Sequence, residues 1–356
     1  DIGVTGVQTC ALPISDKSKL ETLNAKQWLL FSCGGSTKLL QQALMDKSLR
    51  PSAGVAARLE VNGSVFLPSP LVTSGGNTQG KVFCYLPLPV LSGLPIHING
   101  GFAVTSNRKH LKERTGDDKR EIGADWNKAL LKEAVCKAYV GLLEDFKKVL
   151  LLNSDTVASF YRLWPTTSCI KTNFKPLLQS FYDCVLASPD LPQLFTDGEK
   201  WVDVKQILFL DPEFRKIARI GDAAFHVLKQ CKGGEKVVVD LPDDILQSGQ
   251  ESTIAAKAFE EVKISKQSFF KTFFFPNIRN IASHIRDSLT LYALNEDNQQ
   301  LNEVMKKTHC IPVSPNGDYL KCPGELIYPN KETRLLFEPE DNRFPHGKSF
   351  LSMRCL

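Results

Sequence analysis

The residue types that most often carry chemistry occur in this sequence, but they do not form a known catalytic or metal-binding pattern. The six histidines stand apart from one another, and the ten cysteines include no C-x-x-C pair. His309-Cys310 is an adjacent histidine–cysteine pair, but no partner accompanies it at zinc-finger spacing. P-loop, nucleophile-elbow and zinc-protease motifs are absent. The sequence therefore predicts no enzyme activity, no metal site and no cofactor for this chain.

A candidate anion-binding site is the basic stretch at residues 107–124, NRKHLKERTGDDKREIGA. Its arginines and lysines could bind an anion such as phosphate, because their charged groups pair with phosphate oxygens. The alternative is a solvated loop with surface ion pairs, which is how most charge runs behave. The stretch lacks the interleaved aromatic side chains on which bases stack. With a net charge of only +5, this predicts no nucleic-acid partner.

A third candidate is the phenylalanine-rich run at residues 269–275. Five phenylalanines in seven positions would cover most of a helix circumference, which predicts that most of them lie in a core. The alternative is a groove that binds unfolded clients through Phe273, Phe274 and Phe275. Exposure of these three side chains as one patch would favour the groove.

The elements that must position these candidates begin with a strand-rich lobe at residues 15–124. The pattern predicts a mostly helical stretch over 15–50, then three or four strands, then the basic loop. Aromatic and β-branched residues bounded by proline and glycine indicate the strands. With the helices that follow, the predicted fold class is α+β with some α/β character.

The rest of the chain divides into three further segments. Residues 125–200 are predicted to be helical, and they begin with an amphipathic helix over 125–152 for which Asp125 is the expected N-cap. Residues 201–308 mix a strand–helix–strand unit with further helices. Residues 309–356 form an irregular, loop-rich tail.

The first fourteen residues carry a pattern that does not come from protein physics. Residues 4–14 read VTGVQTCALPI, which is the conceptual translation of a common library-preparation oligonucleotide, and Asp1 fits the codon before its barcode. We interpret residues 1–14 as translated sequencing adapter and exclude them from fold reasoning. The alternative is a real apolar N-terminus. On the adapter interpretation, the remaining chain is expected to be an internal piece of a longer protein.

The composition is that of an ordinary globular protein, with 42% hydrophobic and 23% charged residues. Because no apolar run approaches the roughly 18 residues of a membrane helix, no membrane partner is predicted. Once Cys10 is set aside with the adapter, the remaining cysteines are scattered and odd in number. That pattern is typical of a reducing compartment and predicts the cytoplasm.

Three stretches together resemble the sacsin family, and they occur in that family's order. They are YLPLPVLSGLPIHINGGFAVTSNRKHL at residues 85–111, DWNKALLKEAVCKAY at 125–139 and HCIPVSPNGDYLKCPGEL at 309–326, with NRFP following at 342–345. The resemblance covers most of the chain after residue 14. It implies a piece of a giant cytoplasmic co-chaperone, downstream of an ATP-binding domain like that of the ninety-kilodalton heat-shock chaperones.

For function, the resemblance implies a non-catalytic scaffold segment whose partners are unfolded clients and, through the longer protein, seventy-kilodalton heat-shock chaperones. The signature pair of the ATP-binding class, a helix with Glu and Asn followed by a D-x-G-x-G turn, is not found in this chain. A structural spacer within a long chain is one alternative.

The other alternative is a composite ATPase. In the ninety-kilodalton chaperones, an arginine at the end of a middle-segment strand reaches the terminal phosphate of the nucleotide. Here the predicted strand GGFAVTSN ends at Arg108, which resembles that arginine, with Asn107 and Lys109 as supporting residues. An arginine suits the role because its fork pairs phosphate oxygens at fixed geometry and stays charged.

Overall fold

The computed structural model shows an α+β chain, as the sequence predicted. It describes residues 4–10, 26–36, 38–39, 41, 49–62, 65–71, 79–114, 121–231, 236–296, 298–338 and 341–347. Two compact units emerge. The first unit comprises Asp1–Ile207 and Val239–Val262, and the second unit comprises Leu208–Val238 and Lys263–Leu356. These units are defined by contacts in space, whereas the segments predicted from the sequence are continuous stretches of chain. The two divisions are not comparable, and the predicted segment boundaries stay a prediction.

The elements are named in chain order. The strands are β1 (Val4–Cys10), β2 (Lys26–Gly34), β3 (Arg50–Asn62), β4 (Val65–Ser69), β5 (Lys81–Cys84), β6 (Leu86–Leu91), β7 (His97–Gly101), β8 (Phe195–Thr196), β9 (Trp201–Val202), β10 (Ile207–Leu210), β11 (Val237–Val238), β12 (Lys263–Ile264), β13 (Ile311–Pro312) and β14 (Leu320–Lys321). The helices are α1 (Ile122–Leu130), α2 (Cys136–Val149), α3 (Ser154–Tyr161), α4 (Lys175–Ala187), α5 (Pro212–Arg215), α6 (Ile220–Gln230), α7 (Asp243–Gly249), α8 (Thr253–Val262), α9 (Lys266–Ser268), α10 (Phe275–Asn277), α11 (Ser283–Asn295), α12 (Gln299–Lys306) and α13 (Thr333–Leu336). Shorter π and 3-10 turns connect them, among them Leu131–Val135, Phe269–Phe274 and Pro323–Glu325.

A mixed sheet organises the first unit. Its strand order is β1-β2-β3-β7-β5-β6, and β4 pairs with β3 beside this path. β3 runs antiparallel to β2, β4 and β7, whereas β5 runs parallel to β7 and antiparallel to the edge strand β6. Ala53, Val55, Ala57 and Leu59 alternate along β3 and are all buried. This alternation gives the sheet one apolar face, on which α1 and α2 pack.

The strand β2 corrects the sequence analysis, which predicted helix for this stretch. Leu29 and Cys33 are buried, whereas Ser32 and Gly34 are exposed, so burial follows the two-residue period of a strand. The leucines and Trp28 also fit a helical spacing. The strand is selected by antiparallel pairing with β3, which runs from Gln27 to Gly34. Residues 15–25 lie outside the described residues.

The strand β1 lies on the other edge of β2, with Val4 opposite Ser32 and Cys10 opposite Lys26. Strand pairing uses backbone groups that every sequence possesses. The pairing therefore does not distinguish adapter from natural sequence, and the adapter interpretation stays a prediction.

The predicted long amphipathic helix is present as α1, a π-helical turn and α2 in continuous succession. Leu130, Ala134, Ala138 and Leu142 are all buried, as their spacing indicated. The helix starts at Ile122 rather than after Asp125, and its N-cap is the extended residue before Ile122, whose side chain makes no capping bond. The predicted N-cap role of Asp125 was therefore wrong.

The second unit packs around the three-stranded sheet β11-β10-β12, in which β10 and β12 are parallel. Its core contains Phe214, Leu228, Phe269, Phe274 and Leu289. The antiparallel pair β13–β14 lies in the loop-rich tail that the sequence predicted. Among the residues that the structure describes, no helix is both long and apolar enough to cross a membrane.

Candidate functional site

The candidate phosphate-contacting residues lie in a loop that follows β7. The strand ends at Gly101 and does not continue to Arg108 as predicted, because the chain turns at Phe102, whose N–H donates to the Gly100 carbonyl at 2.8 Å. Trp126 Nε1 donates to the Gly101 carbonyl at 2.7 Å. A Cβ at residue 101 would lie 2.2 Å from the Arg50 carbonyl oxygen, so this close approach of β3 requires glycine.

The two ends of the loop are held together by one buried side chain, that of Asn127 on α1. Its Oδ1 accepts from the Ala103 N–H at 2.8 Å, and its Nδ2 donates to the carbonyls of Ala103 at 2.8 Å and Lys112 at 3.1 Å. Val104 and Leu111 form a β-bridge just inside this clamp. Asn127 therefore fixes where the loop leaves the sheet and where it returns to the helix.

The tip of the loop is organised by Asn107. Its Oδ1 accepts from Thr105 Oγ1 at 2.8 Å and from the Lys109 N–H at 3.0 Å. The Arg108 N–H donates to the Thr105 carbonyl at 2.8 Å, and Arg108 takes a left-handed φ of 54°. A positive φ at a residue with a Cβ is strained and persists only where neighbouring contacts enforce it. The side chain of Asn107 therefore supports Arg108 by shaping this turn. Lys109 contributes to the turn through its backbone N–H and not through its side chain.

The guanidinium of Arg108 reaches back to the end of β5. Its Nη2 donates to the Cys84 carbonyl at 2.9 Å. Among the described residues, no carboxylate lies within ion-pair distance of Arg108, so the surface salt bridge that its charge suggested is not formed there. One of its five N–H donors is thus accounted for, and the group keeps donors for an anion.

Tyr85, which follows Cys84, is also left-handed, with a φ of 61°. Its N–H donates to Asn99 Oδ1 at 3.1 Å, and its ring is 66% exposed. Tyr85 and Asn99 line an open groove of about 350 Å³ across the ends of β2, β3 and β7. Serines and glycines form most of the rest of its lining, including Ser32, Ser52 and Gly54, together with Cys33 and Ala53. The groove therefore offers hydroxyl, amide and backbone groups, and Arg108 bonds to the carbonyl of Cys84, the residue before Tyr85.

His97 on β7 is part of the packing of this sheet and not of the loop. Its ring stacks on Trp28 at 5.2 Å between centroids, and its Nδ1 accepts from the Lys81 N–H at 2.9 Å. Burial and the charge of Lys81 lower the pKa of His97 to about 4. The imidazole is consequently neutral at physiological pH and serves as a hydrogen-bond acceptor.

The phenylalanine run lies in the second unit, where it forms a π-helical turn and the short helix α10. Phe274 is fully buried, Phe275 is 5% exposed, and Phe273 is partly buried against the same core. The condition for a client groove, exposure of all three as one patch, is not met. The core interpretation accounts for their positions, and client binding through them would need the unit to open.

The cysteines divide between the two units. The eight cysteines whose side chains the structure describes are free thiols. In the first unit, Cys33 Sγ donates to the Ala134 carbonyl at 3.4 Å, and burial raises its pKa. The thiol of Cys136 makes a hydrogen bond with Cys184 and is buried, and both effects raise the pKa of Cys136 well above its usual value. Such thiols are poor nucleophiles and pack as small apolar groups.

Two features of the site escaped the sequence analysis. The Asn127 clamp binds backbone groups far away in the chain, and a backbone group carries no sequence signal. Tyr85 precedes the L-P-L-P run of β6, and only the fold shows that this run forms an exposed edge.

Comparison with known proteins gives one clear match. The chain is 32% identical over 346 residues to human Sacsin, and the match covers 94% of this chain. The chain spans only about 7% of the length of that relative. No family model matches the chain, and no solved structure matches it significantly. Over nearly its whole length, therefore, this is a sacsin-like chain that corresponds to one segment of a much longer protein.

Proposed function

We propose that this chain is a non-catalytic segment of a sacsin-like chaperone scaffold and that it holds unfolded segments of client proteins. The observation that carries the proposal is a group of exposed apolar side chains on the edge strand β6 and the residue before it. Tyr85 is 66% exposed, Leu86 65% and Leu91 46%. We call these three side chains the β6 surface.

Contact with an unfolded segment suits these exposed side chains physically. Unfolded chains expose apolar side chains, and burying them against the β6 surface gains about 25 cal/mol per Å². Pro87 and Pro89 lie within β6 and lack N–H donors, which limits the addition of a further β-strand at this edge. Side-chain packing without a fixed backbone register would tolerate many client sequences.

The wider setting is part of the same proposal, and the similarity to Sacsin supports it. The segment would work in the cytoplasm, linked through the longer protein to seventy-kilodalton heat-shock chaperones. It would need no cofactor and bind neither nucleic acid nor membrane. A structural spacer would share these properties, and client contact is what separates the two.

Site-specific photo-crosslinking tests the contact directly. A photoreactive amino acid in place of Leu86 should crosslink to reduced, unfolding insulin, because the client lies against this side chain. The same amino acid in place of Leu335, which is 86% exposed in the second unit, serves as the matched control and should crosslink far less. Equal yields at the two positions would favour the spacer.

A composite ATPase is the second candidate, and the geometry of Arg108 favours it. The left-handed backbone and the bond to the Cys84 carbonyl hold the guanidinium in place, while no described carboxylate neutralises it. In a chain extended by the upstream ATP-binding domain, Arg108→Ala should lower ATP turnover by about 100-fold, the usual effect of losing one group that stabilises the transition state.

The neighbouring lysine provides the control for that experiment. Lys109 is exposed on the same loop, and Lys109→Ala should leave turnover nearly unchanged. Turnover that is the same in Arg108→Ala as in the unaltered extended chain would rule the composite ATPase out.

A further inference from the structure

Three potential metal ligands that are separated in sequence come together in the second unit. They are His309 Nε2, Cys322 Sγ and a carboxylate oxygen of Glu325, and all three atoms lie within 4.8 Å of one another. His309 precedes β13, Cys322 follows β14, and Glu325 ends the 3-10 turn Pro323–Glu325. The antiparallel pairing of β13 with β14 brings the two ends side by side, which sequence spacing alone did not indicate.

The spacing of these atoms suits a tetrahedral ion. Zinc binds nitrogen and oxygen at about 2.0–2.1 Å and sulfur at about 2.3 Å, so neighbouring ligands of a tetrahedron lie about 3.4–3.8 Å apart. The distance from His309 Nε2 to Glu325 Oε2 is 3.5 Å, which is already within this range. The side chains of His309 and Glu325 are 49% and 50% exposed, so small rotations can bring all three atoms onto one centre.

Two hydrogen bonds within the turn hold the carboxylate of Glu325 beside Cys322. The Cys322 N–H donates to Glu325 Oε2 at 2.8 Å, and the Glu325 N–H donates to the Cys322 carbonyl at 3.0 Å. Outer bonds of this kind hold metal ligands in place in known sites. Among the described residues, no lysine or arginine makes an ion pair with Glu325, so the carboxylate is not already neutralised by a fixed cation.

We propose that His309, Cys322 and Glu325 form a zinc-binding site with a fourth position open to water. The donor set of imidazole, thiolate and carboxylate favours zinc over magnesium or calcium, which prefer oxygen ligands alone. Binding converts the Cys322 thiol to a thiolate, whose proton passes to solvent. The ion would join the segment after α12 to the turn after β14 and so stabilise the tail of the second unit.

Cobalt(II) is the probe for the first test, because it occupies zinc sites and reports a thiolate ligand by its absorption. The complete chain, stripped of metal, should bind one cobalt ion with a thiolate charge-transfer band, and one equivalent of zinc should remove that band. His309→Gln and Cys322→Ser should each weaken binding by more than about 100-fold, since even outer ligand partners account for 10- to 100-fold. Cys322→Ser should also abolish the band.

Matched controls lie in the same unit, outside the cluster. His284→Gln changes an exposed histidine and Cys231→Ser a partly buried cysteine, and both should bind cobalt like the unaltered chain. Circular dichroism without metal shows whether each variant folds, and His309→Gln keeps the test valid if Cys322→Ser does not. A missing thiolate band, or a band that survives in Cys322→Ser, would overturn the proposal.

Discussion

Asn127 shows how much of the candidate site one side chain holds. It satisfies three backbone groups at the two ends of the Arg108 loop and is only 5% exposed. Asn127→Ala should lower the free energy of unfolding by about 2–3 kcal/mol, because it leaves these groups without their partner. Urea denaturation followed by tryptophan fluorescence measures this, since Trp28, Trp126, Trp164 and Trp201 all belong to the first unit.

The next residue supplies the control. Lys128 is exposed on the same helix, and Lys128→Ala should change stability by less than about 0.5 kcal/mol. If both variants unfold at the same urea concentration, the Asn127 clamp does not hold the loop.

Some residues of the candidate sites could be predicted from the sequence, and others could not. Arg108 stood out because charge and family resemblance are both visible in a sequence. Its left-handed φ and its bond to the Cys84 carbonyl were not visible, because they depend on a turn shaped by Asn107 and on a neighbouring strand. Glu325 was missed for a similar reason: only the β13–β14 pairing brings it to His309.

At the level of elements, the sheet of the first unit contains a histidine, His97, whose protonation makes the stability of the fold depend on pH. The pKa of His97 is about 4 when folded, against an ordinary value of 6.5. Between these values the unfolded chain binds more protons than the folded chain, so stability falls as the pH drops from about 6.5 towards 4. Above about pH 6.5 the contribution of His97 is complete. His97→Gln should flatten the dependence of the urea midpoint on pH in this window.

A control variant and a possible contribution from carboxylates determine how this result is interpreted. His110→Gln, at an exposed histidine of the loop after β7, serves as the matched control for losing a histidine. A His97→Gln protein whose midpoint still falls as steeply between pH 6.5 and 4 would show that carboxylates elsewhere cause the effect.

In the second unit, the element that tests the core assignment is the phenylalanine run at residues 269–275. Phe274 is fully buried and contacts Phe269, Phe270 and Phe275. Phe274→Ala should destabilise this unit by about 3–5 kcal/mol, because it leaves a large cavity. Amide hydrogen exchange should show faster exchange in α6 and α11, while Phe273→Ala, at a partly buried position, should have a smaller effect. Unchanged exchange in Phe274→Ala would contradict the core assignment.

Elements with strong periodicity were predictable, and those decided by pairing were not. The stripe Leu130, Ala134, Ala138 and Leu142 indicated the long helix, and the structure buries all four residues. Strand β2 was predicted as helix because its apolar residues fit both periods. Only the ladder with β3, which is distant in sequence, selects the strand.

At the scale of the whole molecule, the chain is a sacsin-like segment with two compact units and an exposed apolar edge on the first of them. Burial of the phenylalanine run removes the surface that the sequence suggested for clients. The β6 surface takes its place as the proposed binding surface for unfolded clients.

Suppression of insulin aggregation, followed by light scattering, tests whether unfolded clients bind the β6 surface. The unaltered chain should delay the aggregation of reduced insulin. Leu86→Ser combined with Leu91→Ser should remove most of the delay, because it makes the β6 surface polar. Leu335→Ser combined with Leu336→Ser, at positions 86% and 75% exposed in the second unit, should retain it. If the unaltered chain gives no delay, or if the Leu86/Leu91 variant protects as well as the unaltered chain, the β6 surface does not hold unfolded clients.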